Sequence, residues 1–242
     1  CLKRGIGFTT AYHTRFPEYV RARFRVPLAW TYGMLRRFHG PATRVMVPTE
    51  TVKRDLEHRG FRRVVLWSRG VDTEMFRPGD RAALGDSRPI FLYVGRVAVE
   101  KDVEAFLKLD LPGTKWVVGE GPQLAELRAK YPEARYGGIL PQAELAKFYA
   151  AADVFVFPSR TDTFGLVLLE AMACGLPVAA LPVTGPVDVL AGAAAAALDS
   201  DLRAACLKAL TLSRTAAREH ALGFSWAACT RQFLGHLRPL SA

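Results

Sequence analysis

Residues 153–181 read DVFVFPSRTDTFGLVLLEAMACGLPVAAL, and this stretch decides the fold class. It begins with a continuous apolar run, passes through a loop that contains glycine, and enters an apolar helical pattern that ends at Gly175-Leu176-Pro177. The apolar run LPVAAL at 176–181 closes it. Strands buried on both faces of a parallel sheet are continuously apolar, and parallel strands need a crossover between them. The stretch therefore predicts a strand, helix and strand of an α/β protein.

The rest of the chain shows the same alternation. Apolar runs bounded by turn residues occur at five other places: GIGFTTAY at 5–12, TRVMVPT at 43–49, VVLW at 64–67, IFLYVG at 90–95 and KWVVGEG at 115–121. Helical stretches separate them, so we predict a doubly wound α/β fold. The alanine run at 193–197 is too short to interpret.

The segment from Gly70 to Pro89 predicts a domain boundary, because it combines proline, glycine and charge without strong periodicity. We predict domains at 1–80 and 81–223, and a C-terminal helix within 224–242. Amphipathic helices are expected near 201–219 and 224–238. The second of these is expected either to cover the sheet or to cross back to the first domain.

Composition limits the class of protein. Half of the 242 residues are apolar, so a packed core is expected. The four cysteines, Cys1, Cys174, Cys206 and Cys229, form no CxxC pair, which favours neither disulfides nor zinc and suits a cytoplasmic location. No apolar run reaches the 18 residues of a membrane span. The chain begins without Met, so the natural N-terminus is expected upstream.

Positive charge is concentrated in the first third of the chain. Residues 1–80 hold 16 Lys and Arg against 7 Asp and Glu, whereas the remaining residues hold 17 against 16. This asymmetry predicts an anionic partner, either a membrane surface or nucleic acid, or else a solubilising surface. No recognisable nucleic-acid-binding module is present, so nucleic acid is not expected.

A predicted anion site follows the strand at 90–95. Gly95 and Arg96 end this strand, and Lys101 lies at the start of the next helical stretch. Open α/β sheets bind ligands at this end of their strands, and Arg and Lys together neutralise a diphosphate. The alternative is an ordinary surface turn.

A second candidate site lies in the stretch quoted first. Asp162 is expected in a loop and Glu170 in the following helix, where one carboxylate contacts a sugar and the other accepts from a ribose diol. The predicted phosphate-binding amides at the helix start are those of Phe164, Gly165 and Leu166. The alternative reading makes Asp162 a helix cap and Glu170 a surface residue.

Three motifs together resemble glycosyltransferase family 4, a large retaining family with the GT-B fold. They are Gly95-Arg96 with Glu100-Lys101, the turn Gly119-Glu120-Gly121-Pro122, and TDTFGLVLLEAMACGLPV at 161–178. The resemblance implies two Rossmann-like doubly wound domains, the first incomplete and on the acceptor side. It places the donor diphosphate on Arg96 and Lys101, the transferred sugar at Asp162 and the ribose at Glu170.

Further roles follow from the same resemblance. The segment TTAYHTRFPEYV at 9–20 is similar to the one that presents a catalytic His to the donor sugar, here His13. The base is expected to meet backbone at Gly138, Ile139 and Leu140. The family's glycine-rich loop, which closes over the diphosphate, is absent and is expected upstream of Cys1.

The implied reaction displaces a nucleoside diphosphate from an anomeric carbon. Because Arg96, Lys101 and helix-start amides stabilise the departing phosphate, no metal is required, and the nucleotide sugar is a substrate, so no cofactor is expected. Retention proceeds by same-face attack or through a covalent intermediate. Asp199-Ser200-Asp201 resembles the metal-binding Asp-x-Asp of the GT-A fold, but we favour a helix cap there.

The segment from Arg15 to Phe38 is the part of the sequence that is informative about the acceptor. Arginines and aromatics alternate there in two helices opened by Pro17 and Pro27, a pattern typical of helices that lie on anionic membranes. The alternative is that the aromatics pack inside. The predicted membrane contacts are Arg21, Arg23, Arg25, Arg36 and Arg37. The chain is most similar to the branch of sulfolipid synthase and related glycolipid and mannosyl transferases.

That branch implies a nucleotide-sugar donor, a lipid acceptor such as diacylglycerol and a peripheral location on the inner face of the membrane. Two alternatives remain open at this stage. One is a transferase with a soluble or polysaccharide acceptor, and the other is a non-catalytic nucleotide-sugar-binding module.

Overall fold

The structure is a computed structural model that describes residues 1–160, Asp162 and residues 164–237. For Leu2, Tyr19, Ala22 and Arg23 it describes the backbone alone. The chain forms two compact units. Unit 1 is Cys1–Gly70 with Trp226–Ala242, and unit 2 is Val71–Ser225. The boundaries thus lie at 70/71 and 225/226, where the sequence placed them at 80/81 and 223/224.

Unit 1 contains a three-stranded parallel sheet in the order β1-β2-β3, with helices packed against it. Its elements are β1 (Thr9–Ala11), α1 (Phe16–Phe24), α2 (Leu28–His39), β2 (Arg44–Val47), α3 (Glu50–His58), β3 (Val64–Leu66) and α11 (Trp226–His236). Its core joins Val45 and Val47 of β2 to Val52 and Leu56 of α3. The predicted proline starts of α1 and α2 are confirmed, because Pro17 lies in the first turn of α1 and Pro27 is the N-cap of α2.

Unit 2 contains a six-stranded parallel sheet in the order β6-β5-β4-β7-β8-β9. Its elements are β4 (Ile90–Val94), α4 (Val103–Leu107), β5 (Thr114–Val118), α5 (Leu124–Lys130), β6 (Arg135–Gly138), α6 (Gln142–Ala151), β7 (Val154–Phe157), α7 (Leu166–Ala173), β8 (Val178–Ala180), α8 (Thr184–Val189), β9 (Ala196–Leu198), α9 (Leu202–Ala209) and α10 (Arg214–Leu222).

The two central strands explain this order. Every residue of β4 and β7 is buried, as their continuous apolar sequences require for strands covered on both faces. Side chains alternate between two cores, so Phe155 and Phe157 join the cluster that contains Leu168 of α7, whereas Val154 and Val156 join the other. The doubly wound α/β fold is therefore confirmed in unit 2.

The seven apolar runs that we read as strands became β1 to β5, β7 and β8. Two edge strands have weaker patterns. β6 reads RYGG, with two glycines, and β9 reads AAL, which overlaps the end of the alanine run at 193–197. β9 forms through pairing with β8, Ala179 opposite Ala197, which no local pattern announces. The helix expected at 201–219 is two helices, because Ser213 caps a new one by accepting from Ala216 N.

No helix in the described part of the chain combines the length and the apolar character that crossing a bilayer requires.

Candidate active site

The candidate site lies where the strand order of unit 2 reverses. From β4 the chain moves outward to β5 and β6, and then returns to place β7 on the other side of β4. Phe91 pairs with Val154 and Leu92 with Phe155, so β4 and β7 are direct neighbours. In open parallel sheets the carboxyl ends of such a strand pair form a crevice for ligands. The segments after β4 and β7 carry the predicted diphosphate and sugar residues.

The turn that follows β4 is held by backbone hydrogen bonds to the turn that follows β5. Gly95 N donates to Val118 O at 3.0 Å, and Val97 N donates to Glu120 O at 2.8 Å. A side chain at Gly119 would overlap the carbonyl of Gly95, and Gly119 has φ +130°, so glycine is required there. The GEGP motif therefore supports the turn that carries Arg96 and Lys101.

Lys101 and Asp162 are in direct contact across the reversal point. Lys101 Nζ lies 2.6 Å from Asp162 Oδ1, and the two side chains are 25% and 20% exposed. The contact between Arg96 and Glu100 is longer, 3.6 Å, with side chains 66% and 49% exposed. Water screens the exposed pair more strongly, so the Lys101–Asp162 pair is the stronger electrostatic feature. The other oxygen of Asp162, Oδ2, is buried without a hydrogen-bond partner among the described residues.

Glu170 extends from α7 and contacts a tyrosine. Tyr149 of α6 is fully buried, and its hydroxyl donates to Glu170 Oε2 at 3.0 Å. Its ring packs against Phe76 and Phe155, which fixes the hydroxyl. Burial raises the pKa of Glu170, and the hydrogen bond from Tyr149 opposes this rise. Glu170 is therefore a half-buried carboxylate with one fixed donor, not the surface residue of the alternative reading.

Backbone groups complete the predicted donor set. Gly165 is the N-cap of α7 with φ +83°, Phe164 before it is buried, and Leu166 begins the helix. The first amides of a helix have no partner within it, so they are suited to an anion. At the end of β6, Gly138 O accepts from Gly119 N at 2.8 Å, while Ile139 is exposed. The roles of these residues stay predictions, since no ligand is present.

His13 belongs to unit 1, just after β1. Its ring packs edge-on against Trp67 at 5.2 Å, and Trp67 packs against Phe233 of α11 at 5.0 Å. Burial, and to a lesser degree the charge of Arg69, lowers the pKa of His13, so the imidazole is neutral at pH 7. Its role toward a donor sugar stays a prediction.

Helix α11 anchors the segment that carries Trp67. Cys229 Sγ donates to Ser68 O at 3.1 Å, Ser68 N donates to Gln232 Oε1 at 3.0 Å, and His236 Nε2 donates to Leu66 O at 2.6 Å. The sequence left two positions open for this helix, one covering the sheet and one crossing back to the first domain. The structure groups the helix with unit 1.

Asp201 caps α9, as we favoured from the sequence. Its Oδ1 accepts from Arg203 N at 2.9 Å and from Ala204 N at 3.3 Å, and Asp199 Oδ1 accepts from Asp201 N at 2.9 Å. Among the residues that the structure describes, no group of three or more His, Cys, Asp or Glu side chains is placed to hold a metal ion.

The basic helices α1 and α2 expose aromatic side chains. Four large aromatics are between 49% and 76% exposed: Phe16, Phe24, Trp30 and Phe38. The alternative that the aromatics pack inside is wrong for these four. It is right for Tyr32, which is buried and donates to Glu18 at 2.6 Å.

The arginines of the predicted membrane patch are exposed where their side chains are described. They are Arg21, Arg25, Arg36 and Arg37. The side chain of Arg23 lies outside the described residues. Arg36 has a structural contact, because its Nη1 donates to Arg59 O at 2.9 Å.

Sequence reasoning missed three hydroxyls beside the site, those of Tyr93, Tyr149 and Ser159. Tyr149 contacts Glu170, whereas Tyr93 and Ser159 contact the turn after β4. A signal was present for Tyr93, because a tyrosine inside a fully apolar strand must bury a hydroxyl, and a buried hydroxyl needs a partner.

Comparisons with known proteins identify the family of this chain. Residues 88–212 match the family Glycosyl transferases group 1, and residues 1–75 match Glycosyltransferase Family 4. The sulfoquinovosyl transferase SQD2 of Arabidopsis thaliana is 34% identical over 74% of this chain and 39% of its own length. A GDP-mannose-dependent alpha-mannosyltransferase of Mycobacterium tuberculosis is 32% identical over 96% of this chain and 66% of its own length.

A solved structure has a similar fold. The sucrose-phosphate synthase of Thermosynechococcus elongatus superimposes with a TM-score of 0.79 and 26% identity, covering 97% of this chain and 68% of that one. This chain spans 39% and 66% of the two curated relatives. The predicted family and the GT-B fold are therefore confirmed. The chain belongs to the group 1 glycosyl transferases and to glycosyltransferase family 4.

Proposed function

We propose that this chain binds the donor of a retaining glycosyltransferase, a nucleoside diphosphate sugar, at the crevice between β4 and β7. The observation that carries the proposal is the contact of Lys101 with Asp162 at 2.6 Å across the point where the strand order reverses. A cation for phosphate thus lies beside a carboxylate whose second oxygen is buried and has no hydrogen-bond partner among the described residues, so that oxygen suits a sugar hydroxyl.

In the proposed reaction, negative charge develops on the departing diphosphate as the anomeric carbon becomes oxocarbenium-like. Lys101, Arg96 and the amides at the start of α7 stabilise this charge from fixed positions. Glu170 accepts from the ribose diol, and Tyr149 holds its carboxylate in place. Same-face attack of the acceptor is favoured over a covalent intermediate, because no second carboxylate is evident from the sequence as a nucleophile. We propose metal-independent transfer, since these cations and amides offset the charge.

For the acceptor we propose a membrane lipid such as diacylglycerol. The support is the surface of α1 and α2, where exposed Phe24, Trp30 and Phe38 alternate with exposed arginines. Aromatic residues favour the membrane interface, and arginines attract anionic lipid headgroups. One relative is a GDP-mannose-dependent mannosyltransferase, so GDP-linked sugars are donors to test first. UDP-linked sugars are the other donor class that we propose, and they are tested beside them.

The donor proposal is tested by calorimetric titration with UDP and GDP. We expect one of them to bind the unaltered chain and Arg96→Ala with Lys101→Ala to abolish that binding, whereas the weak affinity for uridine or guanosine is retained. Unchanged affinity of this variant for the diphosphate would contradict the assigned roles, and equal loss for diphosphate and nucleoside would indicate that the variant is misfolded.

The matched control is Arg135→Ala with Lys147→Ala. Arg135 is 62% exposed and lies 3.6 Å from Asp86, so its exposure and its ion-pair distance are close to those of Arg96. Lys147 is exposed and pairs with Glu144. The control removes the same charge from the same unit and should leave affinity unchanged. Binding of donor without any transfer to lipid or soluble acceptors would favour the non-catalytic binding module.

A further inference from the structure

Two buried hydroxyls hold the turn that carries the diphosphate residues. Tyr93 OH donates to the backbone carbonyl of Arg96 at 2.8 Å, and Ser159 Oγ donates to the backbone carbonyl of Glu100 at 3.3 Å. One hydroxyl therefore contacts each end of the segment from Arg96 to Lys101.

The two hydroxyls come from the two strands that flank the crevice. Tyr93 lies within β4, and Ser159 follows β7 by two residues. Tyr93 is 1% exposed and Ser159 is fully buried, so both side chains are packed closely by surrounding atoms. A Cβ atom at Gly95 would lie 2.9 Å from the Tyr93 hydroxyl, which shows how closely the turn is packed on the ring.

We propose that Tyr93 and Ser159 are positioning residues for donor binding, because they fix the backbone of the turn in the conformation from which Arg96 and Lys101 meet the diphosphate. This inference rests on the proposed donor site. A turn fixed before binding loses less conformational entropy when the ligand arrives, so affinity rises without a direct contact to the ligand.

The chemistry of Tyr93 suits this role. Burial, with smaller contributions from the charges of Asp162 and Glu100, raises its pKa, so the hydroxyl remains a protonated donor throughout the physiological pH range. The ring contributes to the core beside Phe91 and Val103, whereas the hydroxyl contacts the turn. The change Tyr93→Phe therefore separates the positioning hydroxyl from the packing ring.

The test is calorimetric titration of Tyr93→Phe with UDP and GDP, and with uridine and guanosine. We expect binding of the cognate diphosphate to weaken about tenfold, the size of one lost hydrogen bond, and binding of the nucleoside to be unchanged. Ser159→Ala should act in the same direction with a smaller effect, since its hydrogen bond is longer. The ratio of the two dissociation constants is the readout that general destabilisation does not move.

Tyr136→Phe is the matched control. Its hydroxyl also donates to backbone carbonyls, those of Leu127 and Tyr131, but these belong to the end of α5. This control should leave the ratio of diphosphate to nucleoside affinity unchanged even if it lowers the melting temperature.

Three results decide the inference. If Tyr93→Phe and Ser159→Ala both bind diphosphate as the unaltered chain does, while loss of Arg96 and Lys101 abolishes binding, the positioning role is wrong and the donor site stands. If diphosphate and nucleoside weaken equally, Tyr93 is only structural and the inference is overturned. If the Arg96 and Lys101 variant binds normally, the donor site itself is wrong. Should Tyr93→Phe not fold, Ser159→Ala decides by the same ratio.

Discussion

The two units use their charged side chains in opposite ways. In unit 2 the charged residues of the candidate site are engaged with one another or with fixed hydroxyls, as in Lys101 with Asp162 and Glu170 with Tyr149. In unit 1, Arg21, Arg25, Arg36 and Arg37 of the α1 and α2 region lie exposed beside exposed aromatics. In the described part of the chain, no ion pair involves Arg21, Arg25 or Arg37.

This difference indicates two kinds of recognition. Paired and half-buried groups hold one geometry, which suits a small ligand whose charges must be matched at defined distances. Unpaired arginines on a surface keep their long side chains mobile, which suits a partner that is extended and variable, such as a layer of anionic headgroups. Under the proposed function, the same positive charge would therefore serve a donor site in one unit and a surface interaction in the other.

The largest expected effect comes from reversing charge in unit 1. The triple change Arg21→Glu, Arg25→Glu and Arg37→Glu should abolish co-sedimentation with vesicles that contain anionic lipid. Each arginine near such a surface contributes about 1 kcal/mol, screened within about 8–10 Å at moderate salt. Affinity for UDP or GDP should stay unchanged, because the residues proposed to bind the diphosphate and the ribose are in unit 2.

A triple reversal elsewhere in unit 1 is the control, namely Lys3→Glu, Arg54→Glu and Arg62→Glu, all exposed. It makes the same change in net charge outside the two helices. Equal loss of vesicle binding in both triples would mean that net charge, not the surface of α1 and α2, determines binding. No vesicle binding by the unaltered chain at low salt would favour a soluble acceptor.

Asp162→Asn separates donor binding from transfer. The change removes a negative charge next to the diphosphate cation Lys101, so affinity for UDP or GDP should be retained or increase. Transfer should fall about 100-fold, because the sugar loses a charged acceptor and Lys101 loses its fixed partner. Rates and dissociation constants measured on the same preparation test this. If affinity falls as far as the rate does, Asp162 acts only by holding Lys101.

Glu170→Gln should change stability and affinity in opposite directions. Because burial raises the pKa of Glu170 above its ordinary 4.5, the folded state binds this proton more tightly than the unfolded state does. Stability of the unaltered chain is therefore lost as pH rises through 4.5 to the raised pKa, and the uncharged variant avoids this loss.

The melting temperature of Glu170→Gln should exceed that of the unaltered chain by a margin that grows over this pH window and is constant above it. Affinity for the nucleotide should fall about tenfold at neutral pH, because the ribose loses a charged acceptor. A difference in melting temperature that does not depend on pH would show that burial does not raise the pKa of Glu170. Unchanged affinity would remove Glu170 from the ribose role.

The predictable part of the molecule is the part specified by local pattern. β4 and β7 were recognisable because strands covered on both faces must be apolar throughout. The cap at Asp201 and the proline starts of α1 and α2 were each recognisable from a single residue. β9 was not recognisable, because alanine favours helices and is depleted in strands, and only the pairing with β8 makes this segment a strand.

The same limit applies to the site. Sequence motifs identified Arg96, Lys101, Asp162 and Glu170 as candidates, but not which of them touch. The contact of Lys101 with Asp162 spans 61 residues and depends on β7 returning beside β4. The hydroxyl partners were missed for the same reason, since Tyr149 reaches Glu170 only through the packing of α6 on α7.

The smallest expected effect concerns the aromatic part of the unit 1 surface. Trp30 is 76% exposed, so Trp30→Ala should change the free energy of unfolding by less than about 0.5 kcal/mol. Partial burial of the indole among headgroups contributes about 1 kcal/mol, so vesicle affinity should fall roughly fivefold. This loss should persist at high salt, where the contribution of the arginines is screened.

The control is Leu234→Ala, since Leu234 is a 59% exposed residue of α11, and this variant should bind vesicles normally. A Trp30 variant that binds as tightly as the unaltered chain would mean that the surface acts by charge alone, and a lower melting temperature would mean that Trp30 belongs to the core of unit 1.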